Sequence, residues 1–439
     1  MQVSIAEQTQ PASSVAAQTT PTKRDYHRIL FFMNVVLVVV GYGLAHPTGF
    51  ASVGPMKILR ILVLGFSLFY LFNSKKHYQY IFKGSSSWIL WVFITLNIYV
   101  LPFSANIFIS FEKFINLVPY FIYINYFVIY LFRAYDKEYV ITFILRCLNI
   151  TYLIPVASFI LFGGGFAQDD IYGEVVGGFV SNHYGWGCAI FLASSLDLLR
   201  NRVIVSKNKK ILLIFLCLIA TYILAISGSR SGYLTFALCF LIFVLKNSNT
   251  SFYIKIFSTI AATYFVFHLY TDNDSALNKR LAKTETQLEK GDARSAIYEL
   301  GFNTMANHPE NILTGFGFYT FREAMFELNS NVDPKVLRIN LHNSYLELFF
   351  GSGLFVFTFF LLFFVGKSLW NFAVYHSSRY TFLPPILLIP FFENNFNPGQ
   401  FLFFPWFAIM FYYIHYNERQ IKIEEVITPM PPVRKHQFL

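Results

Sequence analysis

The sequence predicts an all-α polytopic membrane protein with about twelve transmembrane helices and one large helical loop between the ninth and tenth. Composition is the first reason: 55% of the 439 residues are hydrophobic and 13% are charged, whereas about a quarter of a soluble chain is charged. The second reason is a series of apolar runs of helical length. The third is that basic residues fall in alternate connections between these runs.

The apolar runs are each close to the ~20 residues that a helix needs to cross the hydrocarbon core. The eleventh is the weakest, because Pro384, Pro385 and Pro390 interrupt it. Membrane helices tolerate proline where their neighbours satisfy the freed carbonyl groups. The predicted spans are 29–45, 57–73, 87–103, 114–132, 139–162, 183–199, 211–227, 231–246, 252–270, 344–366, 380–393 and 400–416.

Basic residues orient these spans, because Lys and Arg favour the cytoplasmic side of a membrane. They concentrate near both termini and in every second connection, whereas segment 163–179 has three acidic residues and no basic one. The net charge of +10 therefore indicates topology and not nucleic-acid binding, with both termini in the cytoplasm. The bases that carry this pattern include Lys23, Arg24, Lys75, Lys76, Arg133, Lys137, Arg200, Arg202, Lys207, Lys367 and Arg419.

The predicted organisation has five parts. A disordered cytoplasmic tail (1–28) precedes helices one to nine (29–270), and a periplasmic loop (271–341) precedes helices ten to twelve (342–416) and a second cytoplasmic tail (417–439). The first span is expected to be an uncleaved anchor, since it begins late for a signal peptide. All four cysteines fall in apolar spans and are expected to pack as small hydrophobic residues. No cofactor is expected, and no metal site.

The long loop is unlike the other connections. Residues 275–308 have a helical composition, and 308–328 indicate a turn followed by another helical stretch. A loop of this length in a compact protein is usually either functional or disordered. Its aromatic and apolar residues favour a packed cap on the outer side of the membrane.

An arginine stands at the outer surface in "ISGSRSGYL" (226–234), the tight turn between the seventh and eighth spans. Two interpretations of Arg230 remain open. It is either a snorkelling turn residue or an anion ligand in a turn where Gly228 and Gly232 let the backbone approach a substrate and Ser229 adds a hydroxyl. The N-terminus of the following helix would direct N–H donors to the same place.

Arg294 and His342 can each be interpreted either as an ordinary surface residue or as part of a functional site. Arg294 lies in the loop helix, where spacing alone favours a surface ion-pair residue. His342 stands at the mouth of the tenth span, where a histidine is often only a side chain at headgroup level. Three features of its setting favour a functional histidine. Asn343 follows it, the loop ends there, and small residues at 351–353 permit close helix contact.

Four stretches in this order resemble one family. The "SGSRSG" turn, the loop helix that opens with Arg294, "TGFGFYTF" (314–321) and "HNSYLELFFGSG" (342–353) are similar to the bacterial O-antigen ligase and O-antigen polymerase superfamily. The resemblance covers roughly residues 180–370. Two positions depart from the family pattern: Val356 stands where a small or tyrosine residue is common, and Tyr298 replaces a tryptophan.

The resemblance implies an integral-membrane, metal-independent, inverting glycosyltransferase in the bacterial inner membrane, with its active site on the periplasmic side. Its donor would be a glycan on undecaprenyl diphosphate. Arg230 and Arg294 would bind the diphosphate, since the guanidinium fork matches phosphate oxygens, and His342 would be the catalytic base. Further candidates to line the site are Asn182, His183, Ser229, Asn343, Gly315 and Gly317.

Three functions follow as alternatives. The first is an O-antigen or exopolysaccharide polymerase, which the incomplete ligase pattern favours, and the second is an O-antigen ligase that transfers the glycan to lipid A–core in lipopolysaccharide biosynthesis. The third, of another class, is a polysaccharide transporter or flippase, which should show ionisable residues at mid-membrane depth and matching halves. The expected partners are the lipid-linked donor, a glycan or lipid A–core acceptor, membrane lipids and a chain-length regulator, with no nucleic acid.

Overall fold

A computed structural model gives the architecture. Among the residues that it describes, five helices are long and apolar enough to cross a membrane, and four shorter helices are also apolar. The predicted total of about twelve spans stays a prediction, since the ninth span and most of the eleventh lie outside the described residues. Those residues are 26–45, 54–73, 86–162, 167–169, 173–176, 179–204, 206–227, 229–246, 293–318, 320–328, 341, 343–376, 380, 386–387, 389–391 and 403–417.

Every predicted span that falls on described residues coincides with a helix. The largest differences are a fourth-span helix that begins seven residues early and a tenth-span helix that continues to residue 376. The helices are α1 (Tyr26–Ala45), α2 (Gly54–Asn73), α3 (Trp88–Val100), α4 (Ile107–Ala134), α5 (Lys137–Phe162), α6 (Ser181–Arg200), α7 (Lys207–Ser227), α8 (Arg230–Lys246), α9 (Ala293–Asn307), α10 (Asn311–Thr314), α11 (Phe321–Leu328), α12 (Ser344–Phe360), α13 (Lys367–Asn371) and α14 (Phe403–Ile414).

Short turns of other helical types complete the chain path. One 3₁₀ turn, Leu101–Phe103, follows α3, and another is Ile389–Phe391. Two π-helical stretches, Leu361–Gly366 and Phe372–His376, flank α13, so that helical structure continues from the last residue of α12 to residue 376.

The helices pack around two central elements. Helix α6 contacts α5, α7 and α8, and α14 contacts α4, α5 and α13. Every residue of α14 is buried, and Phe403 and Phe407 of α14 pack on the ring of Phe121 from α4. The high aromatic content of the sequence therefore lies partly in contacts between helices.

Three short strands modify the all-α prediction. Strands β1 (Ala167–Asp169), β2 (Gly173–Val176) and β3 (Phe179–Val180) form an antiparallel sheet between α5 and α6. Val175 of β2 pairs with Val180 of β3, and valine is a β-branched residue that favours strands. The prediction placed only a polar connection here, because the segment is too short and too rich in glycine to show an alternating pattern.

The long loop contributes a packed helical layer. Helices α9 and α11 contact each other, and α10 and α11 contact α12. A small hydrophobic cluster, which includes Ile297, Met305, Phe316 and Met325, joins this layer to Phe350 of α12. The structure thus confirms helices at 293–307 and 321–328, whereas the periplasmic side of this layer stays a prediction.

The four thiols are free cysteines. Cys147, Cys188 and Cys239 are buried, and Cys217 is partly buried. This agrees with their expected role as small packing groups.

Candidate functional site

Helix α12 contains a break in its helical backbone. Gly353 has φ 75° and ψ 178°, a conformation that is not helical. This region of φ and ψ is open almost only to glycine. The sequence "GSG" at 351–353 therefore does more than allow two helices to approach, which was its predicted role: it interrupts the helix.

The segment after α10 fills this break. The N–H of Phe316 donates to the carbonyl of Phe350 at 2.8 Å, and the N–H of Gly317 donates to the carbonyl of Gly351 at 2.8 Å. Gly315 has φ 72° and ψ −174°. A Cβ added at Gly315 would lie 2.4 Å from the carbonyl oxygen of Gly351. Gly315 and Gly317, both predicted to line a site, thus hold the loop segment against α12.

Two further contacts attach this junction to the membrane helices. The carbonyl of Phe316 accepts a hydrogen bond from the N–H of Ala105, which lies between α3 and α4, at 2.7 Å. Ser352 donates from Oγ to Oδ1 of Asn97 on α3 at 2.8 Å, and both residues are buried. We call residues 314–317 together with 350–353 the loop–helix junction.

Asn343 has a defined structural role. Its Oδ1 accepts hydrogen bonds from the N–H groups of Tyr345 and Leu346, both at 3.0 Å, and so it caps the N-terminus of α12. Its predicted neighbour in the site, His342, lies outside the described residues. The cap explains Asn343 without a substrate, since an asparagine at this position satisfies helix donors that otherwise lack partners.

A second group of predicted residues surrounds the turn between α7 and α8. Ser229 is buried, and its Oγ accepts a hydrogen bond from the N–H of Gly232 at 3.3 Å. Ser229 therefore caps α8, of which Arg230 is the first residue. The side chain of Arg230 lies outside the described residues. Its place at a helix N-terminus is one where anions are favoured.

The N-terminal residues of α6 pack against the connection between α7 and α8. A Cβ added at Gly185 would be 2.1 Å from Cβ of Ser229, and one at Gly232 would be 2.7 Å from the backbone of Gly185. His183 is buried, and its ring meets the ring of Trp186 edge-on at 5.2 Å between centroids. The indole N–H of Trp186 donates to Oγ of Ser231, which ties α6 to α8.

The structure thus brings the predicted residues together in two groups. His183 and Ser229 belong to the α6–α8 group, together with the backbone of Arg230. Gly315, Gly317 and Asn343 belong to the group around the N-terminal part of α12. Two predicted side chains, Arg294 in the first turn of α9 and Asn182 in the first turn of α6, lie outside what the structure describes.

The sequence prediction missed one buried ionisable residue of the second group. Glu347 is only 7% exposed and lies in the first turn of α12. It lies on the helix against which α10 and α11 pack. The signal was present in the sequence, because Glu347 is an acidic residue inside an apolar run, five positions after His342.

An exposed ion pair lies in the loop layer. His308 and Glu310 form an exposed pair before α10, with Nδ1 and Oε1 3.2 Å apart. Hydrogen bonds from the backbone N–H of Glu310 and from His308 hold the pKa of the Glu310 carboxyl below its ordinary value. Within the described part of the chain, no three His, Cys, Asp or Glu side chains come together as a set of metal ligands.

Comparison with known proteins finds a similarity over a part of the chain that includes Ser229 of the first group and the whole of the second. A family model described as O-antigen ligase matches residues 215–361, a third of the chain. This match confirms the resemblance to the O-antigen ligase and polymerase superfamily. No curated protein matches the chain. Together, the match and the apolar helices indicate a multi-pass membrane protein of the glycosyltransferase type.

Proposed function

We propose that this chain, given its match to the O-antigen ligase family, transfers a glycan from undecaprenyl diphosphate to an acceptor glycan at the periplasmic face of the inner membrane. The observation that carries the proposal is the extent of the match. Residues 215–361 contain all three residues to which we assign chemistry, namely Arg230, Arg294 and His342.

The proposed reaction is an inverting displacement. A hydroxyl oxygen of the acceptor attacks the anomeric carbon of the donor sugar from the face opposite the diphosphate. The bond between that carbon and the diphosphate oxygen breaks, and its electron pair stays on the diphosphate. The proton of the attacking hydroxyl passes to the imidazole of His342, a group whose ordinary pKa suits a base near neutral pH.

Arg230 and Arg294 neutralise the leaving group in this proposal. Charge grows on the diphosphate as the sugar departs, and two guanidinium groups can bind its oxygens bidentately. The arginines would thus supply the positive charge that a divalent metal ion supplies in other enzymes of phosphate chemistry. The capped N-terminus of α8, where Ser229 precedes Arg230, supports this assignment because it adds backbone N–H donors at the same place.

Polymerase and ligase are the two forms of this function, and each has one observation in its favour. The family description names a ligase. Val356 occupies a position where the ligase pattern commonly has a small or tyrosine residue, and it is fully buried in α12. We favour the polymerase, in which both donor and acceptor are glycans on the lipid carrier, because of this departure.

A deletion strain separates these alternatives. If the chain is a polymerase, surface lipid A will carry single repeat units. If it is a ligase, full-length chains will accumulate on the lipid carrier and disappear from lipid A. An unchanged surface glycan would contradict both forms of the proposal, and restoration of the wild-type profile by the plasmid-borne gene is the control.

A further inference from the structure

Arg230 is the residue at which α8 begins, and residues on both sides of it contact α6. Ser229, which precedes it, lies so close to Gly185 of α6 that a Cβ added to Gly185 would be 2.1 Å from Cβ of Ser229. A Cβ added to Gly232 would be 2.7 Å from the backbone of Gly185. Small residues permit such close contact between helices. Helix α6 therefore holds the backbone that carries Arg230 from both directions along the chain.

Trp186 adds a side-chain link beside this contact. It follows Gly185, it is 3% exposed, and its indole N–H donates to Oγ of Ser231, the residue after Arg230. An indole has one N–H donor and no acceptor, so a buried tryptophan normally finds one partner for that group. The ring of His183 meets the indole edge-on at 5.2 Å between centroids. The indole is thus held by a neighbouring ring and by one hydroxyl.

The first turn of α8 has local hydrogen bonds as well. Oγ of Ser229 accepts from the N–H of Gly232 at 3.3 Å. Oγ1 of Thr235 donates to the carbonyl of Ser231 at 2.7 Å. Both bonds join residues at the start of the same helix, and neither fixes that start relative to another helix. The bond from Trp186 does so, because its donor belongs to α6.

The contacts required of Arg230 give this link a role in the reaction. The start of a helix is the part that frays, because its first N–H groups lack partners within the helix. A guanidinium that binds two phosphate oxygens at once needs a backbone held to within about 0.5 Å. A misplacement of about 1 Å can cost about a hundredfold in rate. A hydrogen bond from α6 to the residue after Arg230 restricts such a misplacement.

We propose that Trp186 is a positioning residue, which holds the first turn of α8 through Ser231 and so keeps Arg230 in place for the donor diphosphate. This inference rests on the proposed function and deepens it, since it gives α6 a share in diphosphate binding. Trp186 acts through Arg230 and does not have to touch the substrate. The alternative is a bond that only packs two membrane helices together and contributes to stability alone.

Binding of undecaprenyl diphosphate to the purified full-length protein tests the proposal. Trp186→Phe keeps an aromatic ring beside His183 and removes the N–H donor. We expect it to weaken the affinity about tenfold, because the residue next to Arg230 loses its hydrogen bond to α6. Ser231→Ala removes the same bond from its acceptor and should weaken the affinity to a similar extent. It also keeps the test decisive if Trp186→Phe fails to fold.

A double variant and a matched control separate positioning from packing. Trp186→Phe combined with Ser231→Ala should bind within about twofold of the weaker single variant, because both changes remove one and the same bond. Trp91→Phe is the control: the indole N–H of Trp91 also donates to a hydroxyl, that of Tyr126, at 2.8 Å, and joins α3 to α4. Both tryptophan variants lose a hydrogen bond between helices, so a lower melting temperature is expected of both. A lower affinity is expected of Trp186→Phe alone.

Three results would overturn the proposal. The first is wild-type affinity, within about twofold, in both Trp186→Phe and Ser231→Ala, even if both melt earlier. The second is a double variant whose loss of binding free energy is the sum of the two single losses. The third is an equal loss of affinity in Trp91→Phe. A wild-type protein that binds no undecaprenyl diphosphate would contradict the proposed function itself, and this inference with it.

Discussion

At the residue scale, two of the predicted site residues are helix caps. Ser229 caps α8 and Asn343 caps α12. The residues to which we assign chemistry stand directly beside them: Arg230 follows the first cap and His342 precedes the second. A cap sets the direction in which the chain enters a helix. The polar residues that flank the proposed catalytic groups are therefore explained by local backbone structure.

Arg230 gives the first prediction. Arg230→Lys and Arg230→Ala should both lose about a hundredfold or more in transfer rate, because a lysine cannot reproduce bidentate contacts to phosphate oxygens. The measurement is glycan transfer by equal amounts of membrane-inserted protein. Arg202→Lys, in the connection predicted to be cytoplasmic, is the matched control and should keep wild-type activity. Normal activity of Arg230→Ala would reject diphosphate binding by Arg230 and favour the alternative of a snorkelling residue.

His342 gives the second prediction. His342→Gln should bind the lipid-linked donor but transfer it about two to four orders of magnitude more slowly, since glutamine forms hydrogen bonds but is not a base. A purified transfer assay without added metal measures this. His308→Gln is the control, because His308 is an exposed histidine of the same loop layer. Near-normal turnover by His342→Gln would reject the base role, and a requirement for a divalent ion would reject the metal-free mechanism.

Local motifs predict some of these residues, whereas residues that meet only in the folded chain leave no local signal. Motif spacing identified Ser229 and Asn343 because polar residues near helix ends are visible in a single sequence. It did not identify the pairing of Ser352 with Asn97, since these residues are far apart in the chain and meet only through the packing of α12 on α3. Glu347 was visible as a charge in an apolar run, but its burial depends on the packing of α12 against elements from other parts of the chain.

At the element scale, the loop–helix junction is the feature that hydropathy does not predict. The prediction gave one unbroken apolar span at 344–366, because hydrophobicity reports burial and not the backbone angles of one glycine. The break at Gly353 depends on a partner segment that lies more than thirty residues earlier and occupies it. Predicted helix boundaries were more successful, for example at α6 and α8, where both ends agree to within two residues.

Gly353 gives the third prediction. Gly353→Ala should lower the free energy of unfolding by about 1–3 kcal/mol, because its φ and ψ are unfavourable for alanine. The new Cβ would also lie 2.3 Å from the carbonyl oxygen of Leu313. Thermal unfolding in detergent measures the effect. Gly65→Ala, on α2, is the control: a Cβ there meets no atom within 4 Å, and alanine favours helix more than glycine does. Equal melting temperatures for the two variants would contradict the backbone assignment at Gly353.

At the scale of the whole molecule, the charge pattern predicts a topology. The connection at 200–210 should be cytoplasmic and the loop at 271–341 periplasmic, since basic residues concentrate in the former. Reporter fusions at residues 205 and 310 should give opposite readouts of compartment. The same readout at both positions would contradict the predicted topology and the outer location of the loop–helix junction. A reporter fusion at the C-terminus is the internal control, because it should report the same compartment as the fusion at residue 205.

The loop–helix junction also bears on how such a protein diversifies. Segment 314–317 is hydrogen-bonded to α12 through main-chain N–H and carbonyl groups of residues 316, 317, 350 and 351, and the ring of Phe321 also stacks on Phe350. Main-chain hydrogen bonds constrain the glycines, and the hydrophobic cluster constrains its apolar members, so the exposed positions of the layer are the ones free to vary. A lineage could therefore exchange the side chains that contact a new sugar while its scaffold stays assembled. Chimeric proteins in which residues 293–360 are transplanted as one block should keep the loop–helix junction intact. A transplant that ends between residues 317 and 350 takes the two segments of the junction from different proteins.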